Sequence, residues 1–580
     1  MKDRTPVQFS LKNLDVDTPV QQLSIGGRNE DVESSEKPKK FKDLECIYSN
    51  TEEMEEVECE TELYLVAIEG PSHFKEAVTE EIWRKTMQEE YSQIMKNKTW
   101  DLVTPLSDCK PIGLRWVFKL KRNTRGEVVQ HKARLVAKGY VQKAGVDFEE
   151  VFAPVARMET MRLILALAAQ MGWQVHQMDV KSAFLNGEIE EEVFVKQPDG
   201  FIVKNHEEKV LKLRKALYGL RQAPRAWNIK LDNSLLSFGF KRCTQEHAVY
   251  TKTCGIDRLI VGVYVDDRVI TGSCLNLIEE FKEQMKVEFE MTDMGLMNYY
   301  LGIEISQTTK HITLCQSAYA KNILKEMGMM NCNPAHTPME ERLKLKRDGG
   351  AVKVNKTEYR SLIGSMRYLT HTRPDLMYSV GILSRFLEAP TTEQMAAAKR
   401  VLRYVKGTID YGIVYYKRSK EKELTGYSDS DHAGDVEDRK STSGMVFMLG
   451  NSLISWGSVK QKVVALSSCE AEYIALTGAA CQGIWLARLK SELTGEPKKT
   501  VKLFVDNMST IALSKNPVHH NRSKHIETRF HFIRHCIETK QVEVEHICTK
   551  EQKADIFTKA LGRLNFVEMR TRLGIKKTKE

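Results

Sequence analysis

The sequence predicts a mixed α/β (α+β) fold, in which short apolar strands alternate with amphipathic helices. Two observations carry this prediction. In the first part of the chain, a helical pattern at Met158–Met171 leads into a strand pattern at Val175–Val180. After Leu424 the pattern changes to a run of short strands followed by a helix from about residue 469. With 580 residues, the chain has room for about three or four domains.

The individual helices and strands are predicted from the spacing of their apolar residues. Within 75–96, for example, Trp83, Met87, Tyr91 and Ile94 recur at helical spacing. Helices are predicted at 75–96, 158–171, 281–288, 318–327, 359–405 (broken at Gly364 and Pro374), from about 469, after 505, and finally from Asp555. Strands are predicted at 112–120, 131–138, 175–180, 211–213, 259–265, 269–271, 424–429, 444–449, 452–456, 460–466, 501–505 and 542–547.

Composition excludes several protein classes. Hydrophobic residues make up 42% and charged residues 28%, which is ordinary for a globular protein. The longest apolar runs, such as 163–169, have about seven residues, whereas a membrane helix needs about 20. The 12 cysteines are scattered without a CxxC pair, which argues against a disulfide framework or a zinc ribbon. We therefore expect an intracellular protein with no membrane partner, signal peptide or transit peptide.

Charge is concentrated in two stretches. Residues 110–143 contain ten Lys or Arg and one acid, Glu127, so this stretch alone carries +9. Apolar residues interrupt the basic ones, a pattern typical of strands. It is either a solvated basic face or a groove for phosphates. By contrast, residues 52–60 form an acidic run in a polar N-terminal segment that we expect to be disordered.

Adjacent acids at the tip of a predicted hairpin suggest a metal site. Asp266 and Asp267 close one apolar strand before another begins, and Asp179 ends a strand about 85 residues earlier. A pair of acids in a turn is most often structural. Carboxylates at strand ends are nevertheless the ligands that Mg²⁺ prefers, and they would serve phosphoryl transfer.

Several motifs surround these acids in a characteristic order. They are 100–103 (WDLV), 152–157 (FAPVAR), 177–187 (QMDVKSAFLNG), 217–227 (LYGLRQAPRAW), 264–267 (YVDD) and 300–304 (YLGIE). Together they resemble the reverse transcriptase of copia-type retrotransposons, and the resemblance covers about residues 75–575. It implies a right-hand polymerase with fingers, a palm and a thumb-like region.

The resemblance implies roles for individual residues. Asp179, Asp266 and Asp267 would bind the metals. The substrate contacts would be Lys132 and Arg134 to the triphosphate, Phe184 as an aromatic gate under the sugar, Gln222 near the template–dNTP pair, and Leu301 with Gly302 in the hairpin that grips the primer. One departure is Arg268, which follows the acid pair where the family usually has an apolar residue. We expect it either to lie near the metals or to disturb the strand, and Arg268→Leu to restore any lost activity.

Four further acids lie in the C-terminal part. Asp429 and Asp506 end strands, Glu472 lies on the helix after the strand run, and Asp555 opens the last predicted helix. This is the layout of an RNase H fold, and the surrounding segments resemble the RNase H of the same elements. Such a site would bind two Mg²⁺ and direct water at an RNA phosphate.

Two neighbouring acids compete for these roles. Glu470 follows Ser467 by three residues, which predicts a capping box and leaves Glu472 as the ligand. Asp431 competes with Asp429, but Asp429 continues the strand pattern. A basic loop containing His519, His520 and His525 is predicted to contact nucleic acid.

The predicted organisation has five segments. They are a disordered acidic linker at 1–74, reverse transcriptase fingers and palm at 75–340, a helical thumb or connection region at 341–423, an RNase H-like domain at 424–565 and a basic tail at 566–580. A polar segment at 417–422 marks the boundary of the RNase H-like domain. Because no zinc knuckle, protease or integrase motif is found, we expect a fragment of a longer copia-type Pol polyprotein.

The predicted function is RNA-directed DNA polymerisation with ribonuclease H activity. Each active site would use two Mg²⁺, with Mn²⁺ as a substitute. The partners would be an RNA template, a DNA primer, dNTPs and the RNA–DNA hybrid, with other retroelement proteins in a cytoplasmic particle, the nucleus or both. Two alternatives stay open: an inactive remnant that only binds nucleic acid, and a processed fragment that works only inside such a particle.

Overall fold

A computed structural model describes residues 70–105, 110–122, 128–347, 350–515 and 527–578. The α-helices are α1 (Phe74–Ala77), α2 (Glu81–Lys96), α3 (Met158–Met171), α4 (Ala223–Ser237), α5 (Leu275–Glu288), α6 (Ser317–Glu326), α7 (Lys356–Leu369), α8 (Met377–Leu383), α9 (Thr392–Gly407), α10 (Ser468–Thr494), α11 (Met508–Lys515), α12 (Glu527–Glu538) and α13 (Arg563–Arg572).

The β-strands complete the described elements. They are β1 (Trp100–Val103), β2 (Leu114–Arg122), β3 (Val128–Ala137), β4 (Val175–Val180), β5 (Phe194–Val195), β6 (Val210–Leu213), β7 (Lys241–Arg242), β8 (Val249–Cys254), β9 (Asp257–Tyr264), β10 (Asp267–Gly272), β11 (Met291–Leu296), β12 (Tyr299–Tyr300), β13 (Ile303–Gln307), β14 (His311–Cys315), β15 (Tyr411–Tyr416), β16 (Leu424–Ser430), β17 (Thr442–Leu449), β18 (Ser452–Lys460), β19 (Val501–Val505), β20 (Val542–His546) and β21 (Ile575–Lys577).

The six-stranded sheet carries the first acid cluster. Its order is β11-β4-β10-β9-β8-β7, and every neighbouring pair is antiparallel. The central strands are apolar on both faces because helices cover both sides. Leu163 and Leu167 of α3 pack in one hydrophobic cluster, and Trp227 of α4 and Phe281 of α5 in another. This burial fixes the register, since a one-residue slip would exchange the two faces.

The C-terminal sheet carries the second acid cluster. Its order is β18-β17-β16-β19-β20, with antiparallel pairs in the first three strands and parallel pairs from β16 to β20. Helix α10 packs across it with Tyr473, Leu476 and Ile484 buried. The carboxyl ends of β16 and β19 therefore meet at one edge of the sheet.

Smaller sheets complete the architecture. Strands β2 and β3 form a two-stranded hairpin, and β1, β6 and β5 form a three-stranded sheet. A further sheet has the order β12-β13-β14-β15-β21, so it joins strands that precede and follow the C-terminal sheet in sequence. The described part of the predicted basic tail contains the greater part of α13, which begins at Arg563, and all of β21. Most of the linker predicted at 1–74 lies outside the described residues.

Three predicted local features are wrong. No strand forms at 460–466: β18 ends at Lys460, and the chain turns instead into the Ser467 cap of α10. Gly364 does not break a helix but lies within α7, because the buried stripe Leu362, Met366 and Leu369 continues past it. That packing outweighs a glycine cost of about 1 kcal/mol.

The final helix also begins later than predicted. Asp555 lies in a 3₁₀ turn, Lys553–Phe557, and α13 begins at Arg563. Across the described parts of the chain, no helix combines the length and the hydropathy that crossing a lipid bilayer would require.

Candidate active sites

The first candidate site lies where the β9–β10 hairpin meets β4. Asp267 stands directly opposite Asp179 in the antiparallel β10–β4 pair. The amide of Val180 donates to the carbonyl of Asp266 at 3.0 Å, which ties the hairpin tip to the end of β4. Strand register thus places the three predicted acids at neighbouring positions, although they lie nearly 90 residues apart in sequence. Their carboxylate oxygens do not all lie within 4.8 Å of one another.

The electrostatic environment of Asp267 couples it to the other two acids. The pKa of Asp267 is raised to about 6, first by burial and then by the negative charges of Asp266 and Asp179. A hydrogen bond from Gln177 Nε2 to Asp267 Oδ1, at 2.9 Å, opposes the rise. Such mutual repulsion among carboxylates is relieved when a cation binds between them.

The turn that presents the acids is strained. Val265 has φ = 52°, in the left-handed region that a β-branched residue rarely adopts. Its carbonyl accepts two hydrogen bonds, from Trp227 Nε1 at 2.7 Å and from Arg268 Nη1 at 3.1 Å. These bonds from the other face of the sheet compensate for the strain and hold the turn.

Arg268 leaves the strand intact. It is in register with Met178 on β4 and with Val263 on β9, and the pairing continues on either side of it. The expectation that it disturbs the strand is therefore wrong. The alternative expectation, that it lies near the acids, agrees with the pKa of Arg268: burial lowers it to about 10, and the charges of the nearby Asp266, Asp267 and Asp179 oppose that fall.

The predicted triphosphate contacts lie on the β2–β3 hairpin. Lys132 and Arg134 alternate on β3 with the buried Ala133 and Leu135, so both cations share the other, partly exposed face. The Arg134 guanidinium lies 4.7 Å from the centre of the Tyr218 ring.

Tyr218 links these cations to the predicted sugar gate. Its ring centre lies 4.8 Å from that of Phe184. Burial raises the pKa of Tyr218; the charge of Arg134 opposes this rise, and that of Asp266 adds to it. Tyr218 belongs to the 217–227 motif but was not among the predicted site residues, and only its aromatic side chain within that motif could have indicated a role.

The Gln222 side chain is held by two hydrogen bonds within the protein. It is buried; its Oε1 accepts from Gln142 Nε2 at 3.0 Å, and its Nε2 donates to the Asp147 carbonyl at 3.1 Å. To contact the template–dNTP pair, as predicted, its side chain would have to give up these bonds.

The predicted primer hairpin is supported from α7. Leu301 has φ = 46° and Gly302 has φ = 75°, so two consecutive residues are left-handed. The Tyr368 hydroxyl donates to the Leu301 carbonyl, and a Cβ at Gly302 would collide with that hydroxyl. Glycine is therefore needed here both for its φ and for the close approach of Tyr368.

The second candidate site lies at the carboxyl edge of the C-terminal sheet. Asp429 ends β16, Asp506 follows β19, and Glu472 projects from α10. One carboxylate oxygen from each lies within 4.8 Å of the others, which among the described residues is the sole grouping of three or more potential ligands at such spacing. The resulting set fits a divalent cation, since hard oxygen ligands converge on one point.

The carboxylates of this site are poised for a cation. Glu472 Oε1 accepts from the Ser430 amide at 3.0 Å, whereas its buried Oε2 has no hydrogen-bond partner. Burial, and then the charge of Asp429, raise the pKa of Glu472 well above its usual range. The same two causes raise the pKa of Asp506 and of Asp555.

Asp555 flanks the cluster and brings two further side chains to it. Thr558 Oγ1 donates to Asp429 Oδ2, and Lys559 Nζ lies 2.9 Å from Asp555 Oδ1. Neither Thr558 nor Lys559 was predicted. Their spacing from Asp555, three and four residues along, was the available signal.

The two competing acids have structural roles. The Ser467 hydroxyl accepts from the Glu470 amide at 3.2 Å, and Glu470 Oε2 accepts from the Leu466 amide at 2.9 Å, so Glu470 caps α10 as predicted. Asp431 Oδ1 accepts from the Thr442 amide at 2.5 Å, outside the cluster. The basic loop with His519, His520 and His525 lies outside the described residues.

Comparison with known proteins gives a family match. Residues 97–341 match the family described as reverse transcriptase (RNA-dependent DNA polymerase). The chain is 39% identical over 512 residues to the retrovirus-related Pol polyprotein from transposon RE1 of Arabidopsis thaliana, covering 88% of this chain and 35% of that protein. It is 33% identical over 300 residues to the putative transposon Ty5-1 protein of Saccharomyces cerevisiae, covering 51% of this chain and 97% of that protein.

The chain thus spans about a third of the length of the Arabidopsis relative. Among solved structures, the foamy viral protease–reverse transcriptase in complex with RNA/DNA hybrid matches at 13% identity with a TM-score of 0.45, covering 81% of this chain and 54% of that one.

Proposed function

We propose, from the premise that this chain belongs to the family of copia-type retrotransposon Pol polyproteins, that it copies RNA into DNA and degrades the RNA strand of the resulting hybrid. The observation that carries the proposal is the register that places Asp267 opposite Asp179 beside Asp266, within the segment that matches the reverse transcriptase family. Its substrates would be an RNA template, a DNA primer and dNTPs.

The polymerase site would work through its acids and the basic hairpin. Asp179, Asp266 and Asp267 would hold two Mg²⁺, which supply activation of the primer 3′-hydroxyl and stabilisation of the leaving pyrophosphate. Arg134, already oriented by Tyr218, would bind the triphosphate in a fork, and Lys132 would act as a point charge. Phe184 would pack under the sugar and exclude a 2′-hydroxyl.

The primer would be positioned from the thumb-like region. The Leu301–Gly302 turn has no side chain at its second position, so its backbone can approach the primer closely. Tyr368 would keep this turn in place through its bond to the Leu301 carbonyl.

The second site would hydrolyse the RNA strand. Asp429, Glu472, Asp506 and Asp555 would hold two Mg²⁺, which supply an activated water for attack on an RNA phosphate. Ser430 and Thr558 would orient the carboxylates of Glu472 and Asp429. The unpartnered Glu472 Oε2 supports this assignment, because a buried oxygen without a donor is suited to a cation.

The proposed segments are those predicted from the sequence, with the polymerase in 75–340, the thumb or connection in 341–423 and the RNase H-like domain in 424–565. We further propose that the protein works with other retroelement proteins in a particle.

Primer extension on poly(rA)/oligo(dT) with Mg²⁺ tests the polymerase. We expect dTMP incorporation by the full chain and none by D267N, whose side chain keeps the size of aspartate but loses its charge. Soluble protein that binds the hybrid and incorporates nothing would instead favour an inactive remnant that only binds nucleic acid.

A further inference from the structure

Arg268 lies directly behind the first acid cluster. It follows Asp267 on β10, so its side chain projects from the opposite face of the sheet. There it is fully buried, in register with Met178 and Val263 and beside Trp227, all members of one hydrophobic cluster. A guanidinium in such surroundings is unusual, because burying a charge is costly unless it is paired.

The guanidinium is poorly compensated by its contacts. Nη1 donates to the Val265 carbonyl at 3.1 Å, and the group lies 5.2 Å from the centre of the Trp227 ring. Nε and Nη2 are buried without a hydrogen-bond partner. Within the described parts of the chain, no carboxylate lies at ion-pair distance from it.

The charges that do act on Arg268 belong to the acid cluster. Asp266, Asp267 and Asp179 all oppose the fall that burial causes in its pKa, which stays at about 10. The Arg268 guanidinium is cationic at neutral pH, as arginine side chains in proteins are, and it follows Asp267 directly on β10. Since the interaction is mutual, its charge also reduces the negative potential at the three carboxylates.

We propose that the charge of Arg268 weakens divalent-cation binding by Asp179, Asp266 and Asp267, so that the metals are held firmly only together with the triphosphate. This inference rests on the proposed polymerase function. The three carboxylates and the guanidinium leave a formal charge of −2 instead of −3, and the triphosphate supplies the missing negative charge when it arrives. Metal loading would thus depend on the nucleotide.

The hydrogen bond to Val265 does not explain Arg268 by itself. Trp227 already donates to the same carbonyl, at the shorter distance of 2.7 Å. The two donors differ in charge, which provides a matched control. Removing Trp227 Nε1 loosens the turn without changing the electrostatic potential at the three acids. Removing the Arg268 guanidinium loosens the turn and also changes that potential.

The test measures Mn²⁺ affinity by the electron paramagnetic resonance signal of free Mn²⁺, using the full chain without nucleotide. All proteins carry E472Q to weaken the second site, and D267N identifies the signal that belongs to the first. We expect R268L and R268Q to bind Mn²⁺ about tenfold more tightly than the parent, because a unit charge close to a divalent ion is removed. R268K keeps the charge and should retain the parent's affinity, and W227F should not bind more tightly.

Nucleotide dependence gives a second readout. Adding a non-hydrolysable dNTP with primer–template should tighten Mn²⁺ binding more in the parent than in R268L. Because the pocket is apolar, R268L should melt at or above the parent's temperature. Equal Mn²⁺ affinities in R268L, R268Q and the parent would overturn the inference, as would tighter binding by W227F or failure of R268L to fold.

The two proposals fail in different ways. If the Mn²⁺ affinities follow the expected order but no variant extends a primer, the inference about Arg268 stands and the polymerase proposal fails. If the parent extends primers and the affinities are equal, the polymerase proposal stands and the inference fails.

Discussion

The substitution E472Q separates the two proposed activities. Glutamine is isosteric with glutamate, and its amide oxygen can still accept from the Ser430 amide, as Glu472 Oε1 does at 3.0 Å. Its amide nitrogen would replace Oε2, the buried oxygen that has no donor. A ligand atom would thus become a donor facing Asp429 and Asp506, and the fold would be unchanged.

The size of the effect follows from what is removed. Losing a group that merely orients a metal ligand costs about 10–100-fold in affinity or activity, so losing a ligand should reduce RNA cleavage by about 100-fold or more. Primer extension should stay within about twofold, because its acids lie on other strands. The matched control is E470Q, two residues away. It alters the helix cap and removes a charge that acts on Arg529, with a cost of about 0.5–1 kcal/mol in the free energy of unfolding and little change in cleavage.

The assay is single-turnover cleavage of a 5′-labelled RNA in an RNA–DNA hybrid, with primer extension measured on the same preparations. Melting curves confirm that each variant is folded. Loss of cleavage in E470Q with cleavage retained in E472Q would refute the ligand assignment. Equal loss of cleavage and extension in E472Q would refute the independence of the two sites.

Three further predictions concern the first site. Replacing Phe184 by valine should increase ribonucleotide incorporation relative to dNTPs, measured by competition; an unchanged ratio would contradict the gate. G302A should destabilise the fold by about 1–3 kcal/mol and raise the KM for primer–template, because the residue is left-handed and meets Tyr368. The double variant G302A/Y368F should recover part of the loss, and no recovery would exclude the contact. Since the pKa of Asp267 is about 6, Mn²⁺ binding in the E472Q background should weaken by about tenfold per pH unit as the pH falls below that value; binding that is flat between pH 5 and 7 would contradict it.

The sequence predicted what depends on local patterns. Acidic residues at the ends of apolar strands indicated Asp179, Asp267 and Asp429, because carboxylates at such positions are typical ligands of Mg²⁺. The spacing of Ser467 and Glu470 predicted the cap of α10, which the structure confirms. Both signals lie within a few residues of the feature that they predict.

Features that depend on distant contacts were missed. Gln222 bonds to Gln142, and Tyr218 lies under Arg134, each pair brought together by folding across about 80 residues. The strand predicted at 460–466 failed for a local reason instead. Its β-branched residues Val463 and Val464 favour a strand, but the chain there turns to cap α10, and Leu466 is exposed.

The buried position of Arg268 also required the structure. A charged residue in an apolar strand is compatible with an edge, a bulge or a functional site, and only the register with Met178 and Val263 excludes the first two. Because burying a charge is costly, the position of Arg268 directly behind the acids indicates a role at that site.

We propose that two separate sets of carboxylates each bind divalent metal. Crystals of the full chain with an RNA–DNA hybrid, a non-hydrolysable dNTP and Mn²⁺ test it through anomalous scattering. We expect anomalous peaks between Asp179, Asp266 and Asp267 and between Asp429, Glu472 and Asp506. Ordered nucleotide and hybrid with no peak at either cluster would contradict the account.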